Sequence, residues 1–350
     1  MRYLSDDALA GRLAGSAGER CAGAYIAARF HALGLEPAGE GGYFQSLPLA
    51  SAVNPHAPSG TGRNVVARLE GADPALRGEA VVIGAHYDHL GLGEIASLSG
   101  GEAGEVHNGA DDNASGVAAL LHAAGLLVRR ERPARSVILV AFTGEELGLI
   151  GSGFYASHPA VPLERTVAMV NLDMVGRLEE RSLIVYGVGT APEWEGIVAE
   201  SNRELEIPLA FEPAGYGPSD HTSFYAKGVP VLHLFTNVHG DYHKPTDDWD
   251  EIDAVGLARV GELTARIVLA VADRAARLTL VPGVGERDRR TAGYGAYLGT
   301  VPDFTPVERG VLLSGVTAGS PADEAGLRAG DVLVGLGEHD VEDLYAFTDA

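Results

Sequence analysis

One cysteine, Cys21, is all the thiol that these 350 residues offer. A lone thiol excludes an intramolecular disulfide and a zinc cluster built on four thiolates, and it leaves the redox compartment open. Cations are scarce too: 26 Lys and Arg stand against 48 Asp and Glu, a formal net charge of -22. Such a surface repels nucleic-acid phosphates and anionic lipid alike, so neither is an expected partner. No apolar run approaches the roughly 18 residues of a membrane-spanning helix. The opening residues, Met1-Arg2-Tyr3-Leu4-Ser5-Asp6-Asp7, lack the apolar stretch of a signal peptide. The chain is expected to be soluble, with the full-length protein exported to a periplasmic or extracellular space. Internal repeats and low-complexity tracts are missing as well, which sets aside solenoids, collagen and disordered tails.

What is present has the balance of a globular chain, with 46% apolar and 21% charged residues. The length accommodates one α/β domain of roughly 250 to 300 residues plus part of a smaller unit. Ala24, Tyr25, Ile26, Phe30 and Leu33 recur at helical spacing and stop at Gly34, as in an amphipathic helix ended by a glycine cap. Four apolar runs follow: Val81-Val82-Ile83, Val137-Ile138-Leu139-Val140, Val167-Ala168-Met169-Val170 and Val229-Pro230-Val231-Leu232. Each is expected to be a strand buried on both faces. Ser115 to Arg130 keeps a 3.6-residue period between the first two, and Glu193 to Glu204 and Ala254 to Leu278 are expected as further helices. The fold class is therefore α/β, a mostly parallel (mixed) central sheet sandwiched by helices. Residues 1–282 are assigned to this domain, 283–295 to a Gly- and Arg-rich linker, and 296–350 to a small β-rich unit.

Polar residues able to hold a divalent metal come directly after the apolar runs, where a parallel sheet opens its functional crevice. His86 and Asp88 follow the first run, Glu145 and Glu146 the second, Asp173 the third, and Asp241-Tyr242-His243 the fourth. Between the first strand and its helix lies the acidic turn Gly109-Ala110-Asp111-Asp112-Asn113-Ala114-Ser115-Gly116. One such residue is ordinarily a cap or a satisfied polar group. Several from separate segments, all at one sheet edge, point instead to a site. Two zinc ions would bring four positive charges; three carboxylates and a hydroxide would bring four negative ones, so the buried site would be close to neutral.

At these positions the sequence resembles the clan MH zinc aminopeptidases, which include bacterial leucyl aminopeptidases and aminopeptidase Y. The resemblance spans about Ser5 to Arg274. It rests on Ala85-His86-Tyr87-Asp88-His89-Leu90-Gly91, the acidic turn, Thr143-Gly144-Glu145-Glu146-Leu147-Gly148, Asn171-Leu172-Asp173-Met174, Ser219-Asp220-His221 and Tyr242-His243-Lys244-Pro245. It implies two zinc ions per chain, with Asp112 as the bridging carboxylate. His86 and Asp173 would complete one site, Glu146 and His243 the other. Glu145 would be the general base, Asp88 would hydrogen-bond the second imidazole nitrogen of His86, and Tyr242 would donate to the tetrahedral intermediate. A cis peptide bond is implied between Asp112 and Asn113. The implied activity is removal of N-terminal residues from peptides with a free amino terminus.

With five positions filling two sites, His89, His107, His122, His233 and His239 are expected to be surface, turn or packing residues, and Asp111 a turn residue or a support behind the ligands. Ser219-Asp220-His221 is expected to be wall or a support behind the ligands, because consecutive residues cannot face one another as a triad does and no Gly-x-Ser-x-Gly turn occurs. The family's larger members insert a protease-associated domain before the first metal-binding strand; Gly39 to Arg63 is too short for one, so access to the site should be less restricted. The tail, with Gly319-Ser320-Pro321-Ala322-Asp323-Glu324-Ala325-Gly326-Leu327 and Gly330-Asp331-Val332-Leu333, resembles a PDZ domain. Tyr297-Leu298-Gly299 would then be its loop for a peptide C-terminus, in a module cut short within its groove-lining helix. Three rivals stand beside the hydrolase: a glutaminyl-cyclase-like transferase with one zinc, a non-catalytic receptor or scaffold of the same fold, and a dinucleotide-binding enzyme. The last is suggested by Gly187-Val188-Gly189, but Pro192 stands where the third glycine belongs.

Overall fold

The structure is a computed structural model. It describes all residues except 50–59, 94, 95, 100–103, 180, 285–297, 299, 303–306, 308, 317–319, 338, 342–346 and 348–350. Strands β1 (Glu36–Pro37), β2 (Phe44–Pro48), β3 (Thr61–Leu69), β4 (Ala80–His86), β5 (Ser136–Phe142), β6 (Thr166–Leu172), β7 (Leu183–Tyr186), β8 (Leu209–Glu212) and β9 (Val231–Phe235) form one sheet, ordered β1-β3-β5-β4-β6-β9-β7-β8 with β2 also on β3. Parallel pairing joins β5 to β4, β4 to β6 and β6 to β9, and the flanking strands β3 and β7 run antiparallel to their inner neighbours. Every residue of β4, β5 and β6 is buried, as strands covered on both faces must be.

Alternation along these strands feeds two cores. Val81, Ile83, Val137, Leu139, Val170 and Leu172 face one way. There they meet α1 (Ala17–Ala32), α2 (Gly116–Leu127), α4 (Trp194–Asn202) and α6 (Ala254–Ala272). Val82, Ile138, Val140, Phe142, Met169 and Val231 face the other way, against α3 (Ile150–Ser157) and α5 (His221–Tyr225). Each fully buried Val, Ile or Leu contributes about 1.5–3 kcal/mol, so the strands carrying the site are among the most firmly held parts of the molecule. Helix α1 closes as its sequence suggests: Gly34 N–H donates to His31 O and Leu35 N–H to Phe30 O.

Helix α6 ends at Ala272 rather than at Leu278. The buried Arg135 side chain takes the carbonyls of Ala272, Arg274 and Ala275, so a further turn of helix is not needed to satisfy them. The fourth apolar run enters the sheet only at Val231, two residues after Val229. Beyond the main sheet, β10 (Thr300–Pro302), β11 (Val311–Val316) and β12 (Val332–Leu333) pair antiparallel. Helix α7 (Pro321–Glu324) and a hairpin of β13 (Gly335–Leu336) and β14 (His339–Asp340) complete the described tail, whose core is Val311, Leu313, Leu333 and Val341. Most of the expected linker, Tyr297 and Gly299 of the expected carboxylate loop, most of the groove-lining helix and residues 50–59 of the short stretch before Arg63 lie outside the described residues. Among the described residues no helix is long and apolar enough to cross a membrane.

Candidate metal centre

The carboxyl ends of β4, β5 and β6 lie side by side, and the chain leaves each with a polar residue. His86 is the last residue of β4, Asp173 follows β6, and Glu145 and Glu146 stand on the loop after β5. The turn 110–115 enters this crevice from the side. Asp247 shapes it from beneath: its buried carboxylate accepts the backbone N–H of Asp111 at 2.9 Å and that of Asp112 at 3.0 Å. Asn113 ties the turn to the end of β6, donating to Leu172 O at 2.9 Å and accepting from Met174 N–H at 3.2 Å. The peptide bond between Asp112 and Asn113 is cis, as the resemblance implies.

These constraints bring all five expected ligands together. His86 Nε2 lies 3.3 Å from Asp112 Oδ1 and 3.2 Å from Asp173 Oδ1. His243 Nε2 lies 3.2 Å from Asp112 Oδ2 and 3.4 Å from Glu146 Oε2. Donors held about 2.0–2.1 Å from a tetrahedral zinc ion stand about 3.3 Å apart. In each set the separations from the histidine to the two carboxylates match that spacing, and the two histidines face different oxygens of Asp112. Ser219 supports the first set, its hydroxyl donating to Asp173 Oδ2 at 2.7 Å and leaving Oδ1 toward His86. His243 is oriented by the backbone, with Nδ1 2.9 Å from Ala96 O.

The two adjacent glutamates differ electrostatically. Burial and Asp112 push the Glu146 carboxyl up, but His243 and His89 outweigh them and hold it at about 2. Glu145 sits well above the usual carboxylate range: burial raises it, His86 pulls it back, and Asp173, Glu146 and Asp220 push it further up. Its Oε2 is 3.9 Å from His86 Nε2. Glu145, Tyr242, Met174, Tyr186, Phe235 and Val238 line a cavity over the donors, and Tyr242 stacks on His243 at 3.9 Å between ring centres.

Two positions differ from expectation. The Asp88 carboxylate stands 3.7 Å from His86 Nδ1, too far for a hydrogen bond; the Asp88 backbone carbonyl is nearer, at 3.3 Å, and Asp88 Oδ1 accepts the Glu145 N–H at 3.3 Å. His89, expected to be a packing residue, is buried in the cluster with Nδ1 2.7 Å from Glu146 Oε1. Of the groups whose donor atoms all lie within 4.8 Å of one another, one is the expected His86, Asp112 and Asp173, and another joins Asp112 and Glu146 to His89 in the place expected for His243. The signal was its place three residues after His86, beside Asp88 at the same strand end. Gly109 makes room for it: φ is +52°, and a Cβ there would fall 2.5 Å from the His89 ring. His107 is buried and bonded to Ser97 and Glu105, and His122 is exposed on α2. His239 pairs with Asp111 at 3.2 Å, and His233 stacks on His221 at the cavity wall.

The sequence pattern of peptidase family M28 matches residues 64–268, well over half of the chain. Aminopeptidase YwaD of Bacillus subtilis is 30% identical over 205 residues, covering 55% of this chain and 41% of that protein. The chain spans between about a third and two fifths of the length of the first curated relatives it matches. A solved Zn-dependent exopeptidase from Parabacteroides distasonis has a TM-score of 0.63 at 19% identity, covering 76% of this chain and 95% of the other. Glutaminyl cyclase of Porphyromonas gingivalis has a TM-score of 0.62 at 21% identity, covering 76% and 93%. Two different named activities at nearly one score make this a likeness of fold alone. What singles out the family is the match from Asn64 to Val268, which takes in every strand end, turn and loop that carries a donor: this chain belongs to peptidase family M28.

Proposed function

We propose that the chain is a zinc-dependent aminopeptidase that hydrolyses the first peptide bond of peptides with a free amino terminus. The observation that carries this is Asp112, whose two oxygens each stand at zinc-ligand spacing from a different histidine, with Glu145 beside them. His86, Asp173 and Asp112 would hold one ion, and Glu146, His243 and Asp112 the other. When bound, a pair of zinc ions supplies Lewis acidity toward a carbonyl oxygen and a water that readily loses its proton. Glu145 holds and moves a proton at Oε2, taking it from the attacking water and passing it to the leaving amine, a role worth on the order of 10²- to 10⁴-fold. Burial already holds its carboxyl above the usual range, which strengthens it as the group that takes up the proton. Tyr242 donates a hydrogen bond from its hydroxyl to the carbonyl oxygen as that oxygen gains charge. Asp88, bound to the Glu145 backbone, steadies the base. The apolar cavity wall bounds the substrate side chain and keeps bulk water away.

The same fold in a solved glutaminyl cyclase keeps a one-zinc transferase as the competing assignment. Two donor sets, where the rival needs one, favour the hydrolase. Metal analysis joined to a panel of aminoacyl and N-blocked peptides, with and without chelator, tests the proposal. Two zinc ions per chain and chelator-sensitive turnover of unblocked substrates alone are expected. One zinc per chain with cyclisation of N-terminal glutamine would overturn it.

A further inference from the structure

Arg12 is a charged side chain only 1% exposed, and no carboxylate lies within ion-pairing distance of it among the described residues. Its donors go to backbone carbonyls instead. Nε donates to Tyr87 O at 2.9 Å, Nη2 to Gly109 O at 3.0 Å, and Nη1 to Asn108 O at 2.5 Å and to Leu4 O. Tyr87 sits between His86 and Asp88, and Asn108 and Gly109 lead into the turn that carries Asp112. One planar guanidinium thus grips, from behind, both loops that present the ligands shared in the first donor set. The approach is tight: Gly91 N–H donates to Gly11 O at 3.1 Å, and at Gly11, where φ is +67°, a Cβ would fall 2.1 Å from Gly91 O. Asn108 adds a second tie to the same N-terminal segment through Asp7 Oδ1, at 2.7 Å.

We propose that Arg12 is a positioning residue for the metal centre, a clamp that fixes the separation of His86 from Asp112 through carbonyl contacts and not through its charge. The inference rests on the zinc assignment above. Charge and clamp predict opposite signs. A buried cation near the site repels incoming zinc, so its removal would tighten binding. Loss of the clamp lets the two loops drift apart and loosens binding. Lysine separates the two, because it keeps the charge but offers three donors from one point rather than a planar fork.

The test is zinc titration of metal-free protein against a competing chelating dye, for wild type, Arg12→Lys and Arg12→Met, with the far-ultraviolet dichroism of each metal-free form as the check on folding. The clamp predicts at least a tenfold loss of zinc affinity in Arg12→Lys and no smaller a loss in Arg12→Met. Wild-type affinity in Arg12→Lys, or tighter binding in Arg12→Met, overturns it. A wild-type chain that takes up no zinc overturns the zinc assignment along with it, whereas zinc uptake indifferent to Arg12→Lys overturns the clamp alone. If neither variant folds, wild type decides by reciprocity. Zinc then slows hydrogen exchange at the buried amides between Leu4 and Leu13; exchange there that zinc leaves unchanged overturns the clamp.

Discussion

The strands β4 and β5 begin and end in opposite electrostatic circumstances. At their amino ends, acid and base meet directly: Glu79, just before β4, takes Arg135, just before β5, at 2.6 Å, and Arg277 at 2.7 Å. At their carboxyl ends Asp88, Asp112, Glu145, Glu146, Asp173 and Asp220 crowd together. The nearby arginine there, Arg12, spends its donors on carbonyls. Arg12 and Arg135 are equally buried, yet only Arg135 has a carboxylate in contact. A net charge of -22 spread over the chain says little about function. Its local form says more: at the amino ends arginines offset the carboxylates and hold the fold, whereas at the carboxyl ends histidines stand among them, an arrangement in keeping with the proposed zinc site.

The largest effect should come from the residue both donor sets share. Asp112→Ala is expected to release both zinc ions and reduce turnover to background, checked by metal analysis and a rate assay; retention of one full equivalent would contradict a shared carboxylate. Next, Glu145→Gln should keep both zinc ions while turnover falls about 10²- to 10⁴-fold. Near-normal rates in that variant would remove Glu145 from the chemistry.

A smaller change is expected from His89. If it only orients Glu146 through the 2.7 Å contact, His89→Ala should weaken zinc binding about 10- to 100-fold, less than His243→Ala does. The reverse order would make His89 the ligand. The smallest effect belongs to the amino end. Burial raises the Glu79 carboxyl, but hydrogen bonds and charge from Arg135 and Arg277 outweigh it and leave it below its usual range. Such a group contributes fully above its unfolded pKa of about 4.3, and the contribution is lost as pH falls through the lower folded value. Glu79→Gln should therefore cost about 1 kcal/mol or less at pH 7 and converge with wild type only at a pH below the depressed folded pKa. Urea unfolding at both pH values measures it, and turnover is expected to stay as it was.

Much of this was legible in the letters. Strands covered on both faces must be apolar throughout, so β4, β5 and β6 announced themselves, and the polar residue ending each run marked the crevice. His89 was misjudged because the ligand positions had already been filled, although it lies one residue past Asp88 at the same strand end. Asp247 and Arg12 left no pattern at all. Both act on backbone groups of distant segments, and a carbonyl or amide has no letter of its own. The overlong expectation for α6 has the same origin, since Arg135 ends that helix from another element. The Asp88 carboxylate misses His86 by a fraction of an ångström that residue types do not encode.

The grip of Ala96 and Leu98 on His243 carries a consequence for how such a chain can change. Because one imidazole is aimed by a surface segment, lengthening or shortening the stretch between Leu92 and His107 would retune the second donor set while leaving its letters intact. Variation that an aligned sequence would show as a harmless gap would be felt first in coordination chemistry.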